Sequence, residues 1–168
     1  MDYTCHYRSP FGDITLASDG EVLIGLWFDG QKHFGDVLKK EHKEEKLPVF
    51  EETIHWLDLY FQGQIPSFTP KLALRGTLFQ QKVWQLLLEI PYGQTTTYRQ
   101  IAQKIDEKGK MSCQAIGNAV SHNPISIIVP CHRVIGSDGS LTGYAGGLER
   151  KRKLLELEKD RIDIRQRL

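Results

Sequence analysis

The hydrophobic period of this chain changes near Gly76, and that change limits the fold more than any other feature. Before it, the pattern is largely that of strands. Tyr3-Thr4-Cys5-His6-Tyr7 is a short aromatic and β-branched run ending at Ser9-Pro10, and Asp13 to Ala17 and Glu21 to Phe28 flank the turn dipeptide Asp19-Gly20, which predicts a hairpin. Gln31 to Lys46 is polar, and its charged end from Lys39 reads as a solvated helix end or loop. Phe50, Ile54, Leu57, Tyr60 and Phe61 fall at helical spacing, so Glu51 to Phe61 is expected to be an amphipathic helix closed by Gly63. Gly63 to Gly76, with Pro66 and Pro70, reads as a linker.

After Gly76 the period is helical. Thr77 with Gln80 has the capping-box pattern, and Phe79, Val83, Leu86, Leu87 and Ile90 form a stripe that stops at Pro91-Tyr92-Gly93. A second helix is expected over Tyr98 to Ile105 behind Thr97, and a third over Cys113 to Ser121 after the charged turn Asp106 to Lys110. Two short helices joined by a turn can pack a core or dock on DNA. The small residues Ala115, Gly117 and Ala119 suit either use, and the pattern alone favours packing. Ile125 to Val129, bounded by prolines, reads as a short buried strand or extended segment. A glycine-rich loop from Gly136 to Gly147 leads to a last helix carrying Leu148, Leu154, Leu155 and Glu158. The reading is α+β with two domains: a small α/β unit over residues 1–75 and a mainly helical unit with a helix-turn-helix over 76–168.

Charge divides at the same place. Residues 1–75 carry 8 Lys and Arg against 12 Asp and Glu, whereas residues 76–168 carry 14 against 9. Either the second half meets a polyanion, or Arg150 to Lys153 is simply the solvated face of a basic helix. No apolar run is long enough to span a bilayer. The first residues, Met1-Asp2-Tyr3-Thr4-Cys5, lack the basic and apolar regions of a secretory signal. The three cysteines, Cys5, Cys113 and Cys131, form no C-x-x-C pair and fit a reducing compartment. A cytoplasmic protein without membrane association is expected.

Cys131, in Pro130-Cys131-His132-Arg133-Val134, is the candidate nucleophile. A cysteine in apolar surroundings is more often an inert thiol. An ordinary thiol, with a pKa of about 8.5, is only a few per cent thiolate at neutral pH. Lowering that value to about 5.5 would take roughly 4 kcal/mol of preferential thiolate stabilisation. A cationic or hydrogen-bonding neighbour is therefore required. In an extended segment His132 would point to the opposite face, reaching the thiol through a water or a backbone bend. Cys131-His132 has no further ligands near in sequence for zinc, and Cys5, His6 and His33 show no metal spacing, so neither metal nor cofactor is expected. A thiol hydrolase would need a histidine and an oxyanion hole from elsewhere in the chain, for which no signature exists.

Taken in order, Gly76-Thr77-Leu78-Phe79-Gln80, Val83-Trp84, Pro91-Tyr92-Gly93, Thr97-Tyr98, Ile116-Gly117-Asn118-Ala119, Asn123-Pro124, Pro130-Cys131-His132-Arg133-Val134 and Gly143-Tyr144-Ala145-Gly146-Gly147-Leu148 resemble the O6-alkylguanine-DNA alkyltransferase (methylated-DNA–protein-cysteine methyltransferase) family. The match runs through essentially all of residues 76–168, with a looser likeness before it. The resemblance implies a ribonuclease-H-like N-terminal domain and a monomer acting on double-stranded DNA that contains alkylated guanine, and less firmly alkylated thymine. It implies that Cys131 accepts the alkyl group from a flipped-out base, His132 deprotonates it through a water, and Glu158 orients His132. Asn123 would shape the turn, and Tyr98 would protonate guanine N3. Val134 and Ala145 backbone, with the Tyr144 ring, would hold the base. Gln114, Ala115, Thr97, Arg133 and Ser137 would contact DNA or substrate, with the third helix in the minor groove. The alkyl–sulfur product is a thioether, so each molecule would act once.

The chain departs from the family in two places. Gln114 stands where an arginine usually fills the gap left by the flipped base, so weaker or differently paced flipping is expected. Ala145 replaces a serine of some relatives, which leaves room for bulkier alkyl groups. The rivals are a lesion-binding protein without chemistry and a thiol hydrolase with turnover.

Overall fold

A computed structural model describes the backbone of residues 1–167 and the side chains of residues 1–160. Strands β1 (Asp2–Ser9), β2 (Gly12–Ser18), β3 (Leu23–Phe28) and β4 (His42–Glu44) form a sheet in the order β3-β2-β1-β4. The first three are antiparallel, with Tyr3 opposite Ser18 and Ile14 opposite Phe28. The hairpin at Asp19-Gly20 forms as expected. Gly20 takes φ +116°, and Asp19 Oδ1 accepts from the Glu21 and Val22 N–H groups at 2.9 and 3.0 Å. Helix α1 (Pro48–Phe61) packs Phe50, Leu57 and Tyr60 against the sheet's inner face, where Ile14, Leu16 and Leu26 lie.

Two stretches differ from the sequence reading. The polar run from Gln31 to Lys46 contains β4, which pairs in parallel with Asp2 to Thr4. Its three side chains are exposed, so no hydrophobic alternation betrays it; backbone pairing holds it, with one exposed bond of 2.8 Å between Glu44 and His6. The stretch from Gly63 to Gly76 is not a free linker. Leu23 N–H donates to Lys71 O at 2.8 Å and Ala73 N–H to Leu23 O at 2.9 Å, while Arg75 grips buried Asp2 through two bonds of 2.7 and 3.0 Å.

The remaining elements are α2 (Leu78–Leu88), β5 (Thr96–Thr97), α3 (Tyr98–Ile105), α4 (Cys113–Ser121), a 3-10 turn (Cys131–Arg133), β6 (Val134–Ile135) and α5 (Leu148–Arg167). Thr77 and Thr97 both close capping boxes, with Gln80 and Gln100, as the sequence predicts. Ser112 Oγ caps α4 by accepting from Ala115 N–H at 3.0 Å. The Trp84 indole donates to Ala119 O at 2.9 Å, locking α2 on α4. Ile116, Ala119 and Val120 are buried there, while Gln114 and Asn118 face outward. Helix α4 thus packs with one side and is free with the other.

Ile125 to Val129 is buried but is not a strand. One bridge ties Ile125 to Leu26 of β3, and the chain then turns, with Ile127 at φ +70°. The Val129 N–H returns to Ile125 O at 3.1 Å. Left-handed backbone at a β-branched residue costs on the order of 1–3 kcal/mol, and burial on all sides holds it. This turn and the 71–73 strap together cover the open edge of β3. The main hydrophobic core runs through both domains, from Leu26 and Tyr60 to Trp84, Val129, Cys131 and Leu154, and a smaller cluster gathers Ala17, Ile24 and Trp27.

Candidate active site

Pro130 ends the buried turn, and Cys131 to Arg133 form the 3-10 turn, with Cys131 3% and His132 0% exposed. The segment is therefore not extended: a backbone bend turns both side chains inward. Asn123 staples it. Its Nδ2 donates to Val129 O at 2.8 Å and its Oδ1 accepts from Ile125 N–H at 3.0 Å.

Glu158, on the buried face of α5, is the hub. Its carboxylate accepts from Tyr60 Oη at 2.6 Å, His132 Nε2 at 2.5 Å, Arg133 Nε at 2.8 Å, Arg133 Nη2 at 3.2 Å and Gly93 N–H at 3.1 Å. Burial opposes its charge, but His132 and Arg133 hold the carboxyl well below the usual carboxylate range. An ionised carboxylate only accepts, so His132 Nε2 carries the proton. Burial also holds His132 below the ordinary imidazole value. The neutral ring then has its lone pair on Nδ1, a buried atom without a hydrogen-bond partner in the protein.

Burial pushes the Cys131 thiol up to about 11, against the pull of Asn123 and Lys151. The resting group is a neutral thiol, and the depressed pKa that the sequence reading required is not built into the resting site. Deprotonation has to come from a base as the substrate reacts. Lys151 supplies a positive field that favours the thiolate. It is 0% exposed, its Nζ donates to Thr142 O at 2.8 Å, and burial brings it down to about 8.

Arg133 corrects an expectation. It is buried, with Nη1 on Ile90 O at 2.7 Å and the rest of its head on Glu158, so it is not placed to touch DNA. The basic run from Arg150 to Lys153 is not an open patch either. Arg150 donates to Phe11 O at 2.9 Å and Gly146 O at 3.1 Å, Lys151 is buried, and Arg152 pairs with Glu149 and Glu156. The solvated-face reading fits exposed Arg152 but not Arg150 or Lys151, whose cationic heads bond to backbone carbonyls.

A cleft of about 1090 Å³ is lined by Lys32, Tyr98, Gln114, Ala115, Thr142 and Gly143 among others. Tyr98 Oη donates to Thr142 O at 2.8 Å. Gly117 sits under the Tyr98 ring, where a Cβ would make ordinary contact at 3.8 Å. Tyr144 is 9% exposed, and Gly146 is needed beside it because a Cβ there would come within 2.7 Å of its ring. The Ala145 carbonyl accepts from Lys32 N–H at 3.1 Å, and Val134 pairs with Thr96. Thr97 Oγ1 is occupied as the α3 cap, and Ser137 is exposed in the loop after β6.

The fold thus brings Cys131, His132, Glu158, Asn123, Tyr98 and Tyr144 to one region, with Gln114 and Ala115 on its outer wall. Sequence reasoning missed Tyr60, Gly93 and Lys151. A signal for Lys151 existed: it precedes Leu154 and Glu158 by three and seven residues and so shares their buried face.

Comparison with known proteins agrees with this architecture. The family model for the 6-O-methylguanine DNA methyltransferase ribonuclease-like domain matches residues 3–74, and that for its DNA binding domain matches residues 78–160. The methylated-DNA–protein-cysteine methyltransferase of Mycobacterium tuberculosis is 48% identical over 159 residues, 93% of each chain. That of Haemophilus influenzae is 43% identical over 94% of this chain and 86% of its own. A crystal structure of the Mycobacterium tuberculosis enzyme OGT in complex with DNA superposes with a TM-score of 0.84 at 46% identity, covering 95% of this chain and 94% of that one. With both domains matched and nearly full coverage in each comparison, the chain belongs to the 6-O-methylguanine DNA methyltransferase family.

Proposed function

We propose that this chain repairs DNA by direct reversal, moving an alkyl group from O6-alkylguanine, and from O4-alkylthymine, in duplex DNA to Cys131. The observation that carries the assignment is the Glu158–His132 pair beside the buried thiol, with the unpartnered Nδ1 as its free base. His132 Nδ1 takes the thiol proton through a water as sulfur attacks the saturated alkyl carbon. The new bond is S–C, and the C–O6 bond breaks with its electron pair passing to the purine. Tyr98 exchanges Thr142 for guanine N3 and protonates it, and the proton taken up by His132 returns to Tyr98 through solvent. One proton leaves the thiol and one arrives on guanine, so the reaction consumes neither protons nor a cofactor. The thioether has no carbonyl for water to attack, and each molecule acts once.

The base reaches Cys131 by leaving the stack, at a cost of a few kcal/mol that is smaller for a poorly paired lesion. Helix α4 enters the minor groove with Ala115 and Gly117 foremost and Gln114 at the gap. Lys32, Arg99, Lys108 and Lys110, exposed about the cleft and the α3–α4 turn, meet phosphates in place of Arg133. Residues 76–168 form the alkyl-acceptor domain and residues 1–75 its partner, which supplies Tyr60 to the relay. No helix among the described residues is long and apolar enough to cross a membrane. We infer a monomer working in the cytoplasm.

Intact-mass measurement after incubation with an O6-methylguanine oligonucleotide tests the assignment. A gain of one methyl group, absent in Cys131→Ser, is expected. Lesion binding without mass gain would point to a recognition protein, and repeated turnover to a hydrolase.

A further inference from the structure

Where the N-terminal domain meets the end of helix α4, the structure places two histidines and a carboxylate together. His33 and Asp36 come from the loop after β3, and His122 follows the last residue of α4. One ligand atom of each lies within 4.8 Å of the other two. His33 Nδ1 is 3.2 Å from Asp36 Oδ2, and the two imidazole rings stack with centroids 3.7 Å apart. Among the described residues, this is the only such group of three. The set weighed from sequence, Cys5 with His6 and His33, does not converge: His6 instead bonds Glu44 and Thr15.

We propose that His33, Asp36 and His122 form a divalent transition-metal site, filled by zinc, that pins the loop after β3 to the end of helix α4. Zinc bound at about 2.0–2.2 Å to nitrogen and carboxylate oxygen sets neighbouring donors roughly 3.3 Å apart, which is the His33–Asp36 spacing. A ligand atom of His122 lies within 4.8 Å of both, so binding requires its partly exposed side chain to rotate inward. His122 already has the outer bond that a ligating histidine needs. Its Nδ1 lies 2.7 Å from Asn118 O, which fixes the proton on that nitrogen and leaves Nε2 with the lone pair. His33 sits at φ +60°, a strained conformation for a non-glycine residue that tends to persist where a side chain must be aimed. Two imidazoles and one carboxylate favour zinc or its transition-metal neighbours over calcium or magnesium, which prefer oxygen donors. Solvent completes the fourth position.

The site is structural and does not depend on the alkyl-transfer reading. His122 adjoins Asn123, which staples the Cys131 turn, so a metal here would stiffen the joint between the loop after β3, helix α4 and that turn.

The test uses the full chain, dialysed against zinc in a phosphine reductant and then freed of loose metal. One zinc per chain is expected, with affinity at least about tenfold weaker in each of His33→Asn, Asp36→Asn and His122→Gln. Asparagine tolerates the left-handed backbone at 33, and Asp36 is exposed, so these variants keep the fold. Cobalt in place of zinc should give visible bands without a thiolate charge-transfer band, and zinc should raise Tm in the parent only. No retained zinc, retention equal in the variants, or a thiolate band from Cys5 or Cys131 would overturn the proposal.

Discussion

Tyr60 Oη donates a 2.6 Å hydrogen bond to Glu158 Oε2, so a side chain of the N-terminal domain completes the carboxylate that holds His132. Both groups are fully buried. Tyr60→Phe keeps the ring that packs on Trp56 and removes one of the five bonds to Glu158. A loss of about 1–2 kcal/mol is expected in denaturant unfolding. The alkyl-transfer rate should fall by several-fold, less than in Glu158→Gln. An unchanged rate would mean that the N-terminal domain does not tune the relay.

Arg133 neutralises Glu158 inside the core, and its removal strands a buried charge. Arg133→Met should cost about 3–5 kcal/mol. The dependence of DNA affinity on salt should nonetheless stay as in the parent. A phosphate contact at this position would instead reduce the slope of log affinity against log salt by about one. Unfolding curves and salt titrations on the same protein decide between the two uses.

Acid should act on this site through two groups in the same direction. His132 has a folded pKa below its free value of 6.5, so below that pH the unfolded chain binds more protons and stability is lost as pH falls. Glu158 is also lowered, from 4.5, and its contribution is present above that value and lost as pH falls further. The transfer rate of the parent should be flat from neutral pH to below 6.5, because His132 stays an unprotonated base there. In His132→Ala the rate should climb about tenfold per pH unit toward the thiol's value of about 11. A parent profile that climbs the same way would remove His132 from the role of base.

Much of this arrangement is legible in sequence because it is local. The hairpin follows from Asp19-Gly20, and the two capping boxes from Thr77 with Gln80 and Thr97 with Gln100. Each requires only groups a few residues apart. The Pro130 to Val134 signature directs attention to Cys131 and His132 in the same way. What escaped is non-local or contrary to type. Strand β4 has no buried side chain to set a period, and Ile127 adopts a backbone that a β-branched residue disfavours. Arg133 and Lys151 carry charges that usually face water. Partners outside their own turn, Glu158 and the Ile90 carbonyl for Arg133 and the Thr142 carbonyl for Lys151, make their burial tolerable.

Lys151, buried on α5, favours the charged form of the Cys131 thiol. Lys151→Met keeps the length and apolar stem but removes the charge and the bond to Thr142 O. Alkyl transfer should slow by about tenfold, the size of a change of one pKa unit in thiolate availability. Reaction of exposed Cys113 with iodoacetamide should be unaffected, which separates a local field from a general loosening. Equal transfer rates in the two proteins would leave Lys151 as a loop anchor only.

Gln114 stands exposed at the mouth of the cleft on α4, and residues 112–123 carry no lysine or arginine. Its amide can hydrogen-bond in the gap left by the base but offers the phosphates no charge. Gln114→Arg should therefore tighten duplex binding and steepen the salt dependence by about one unit. If the side chain also fills the gap, the rate of base flipping, followed by a fluorescent base analogue opposite the lesion, should rise while Cys131 reactivity toward free iodoacetamide stays the same. Ala145→Ser provides the companion measurement, because the added hydroxyl narrows the region beside Tyr144 and should slow benzyl transfer more than methyl. If neither substitution moves its own readout, Gln114 and Ala145 play no part in flipping or in alkyl size.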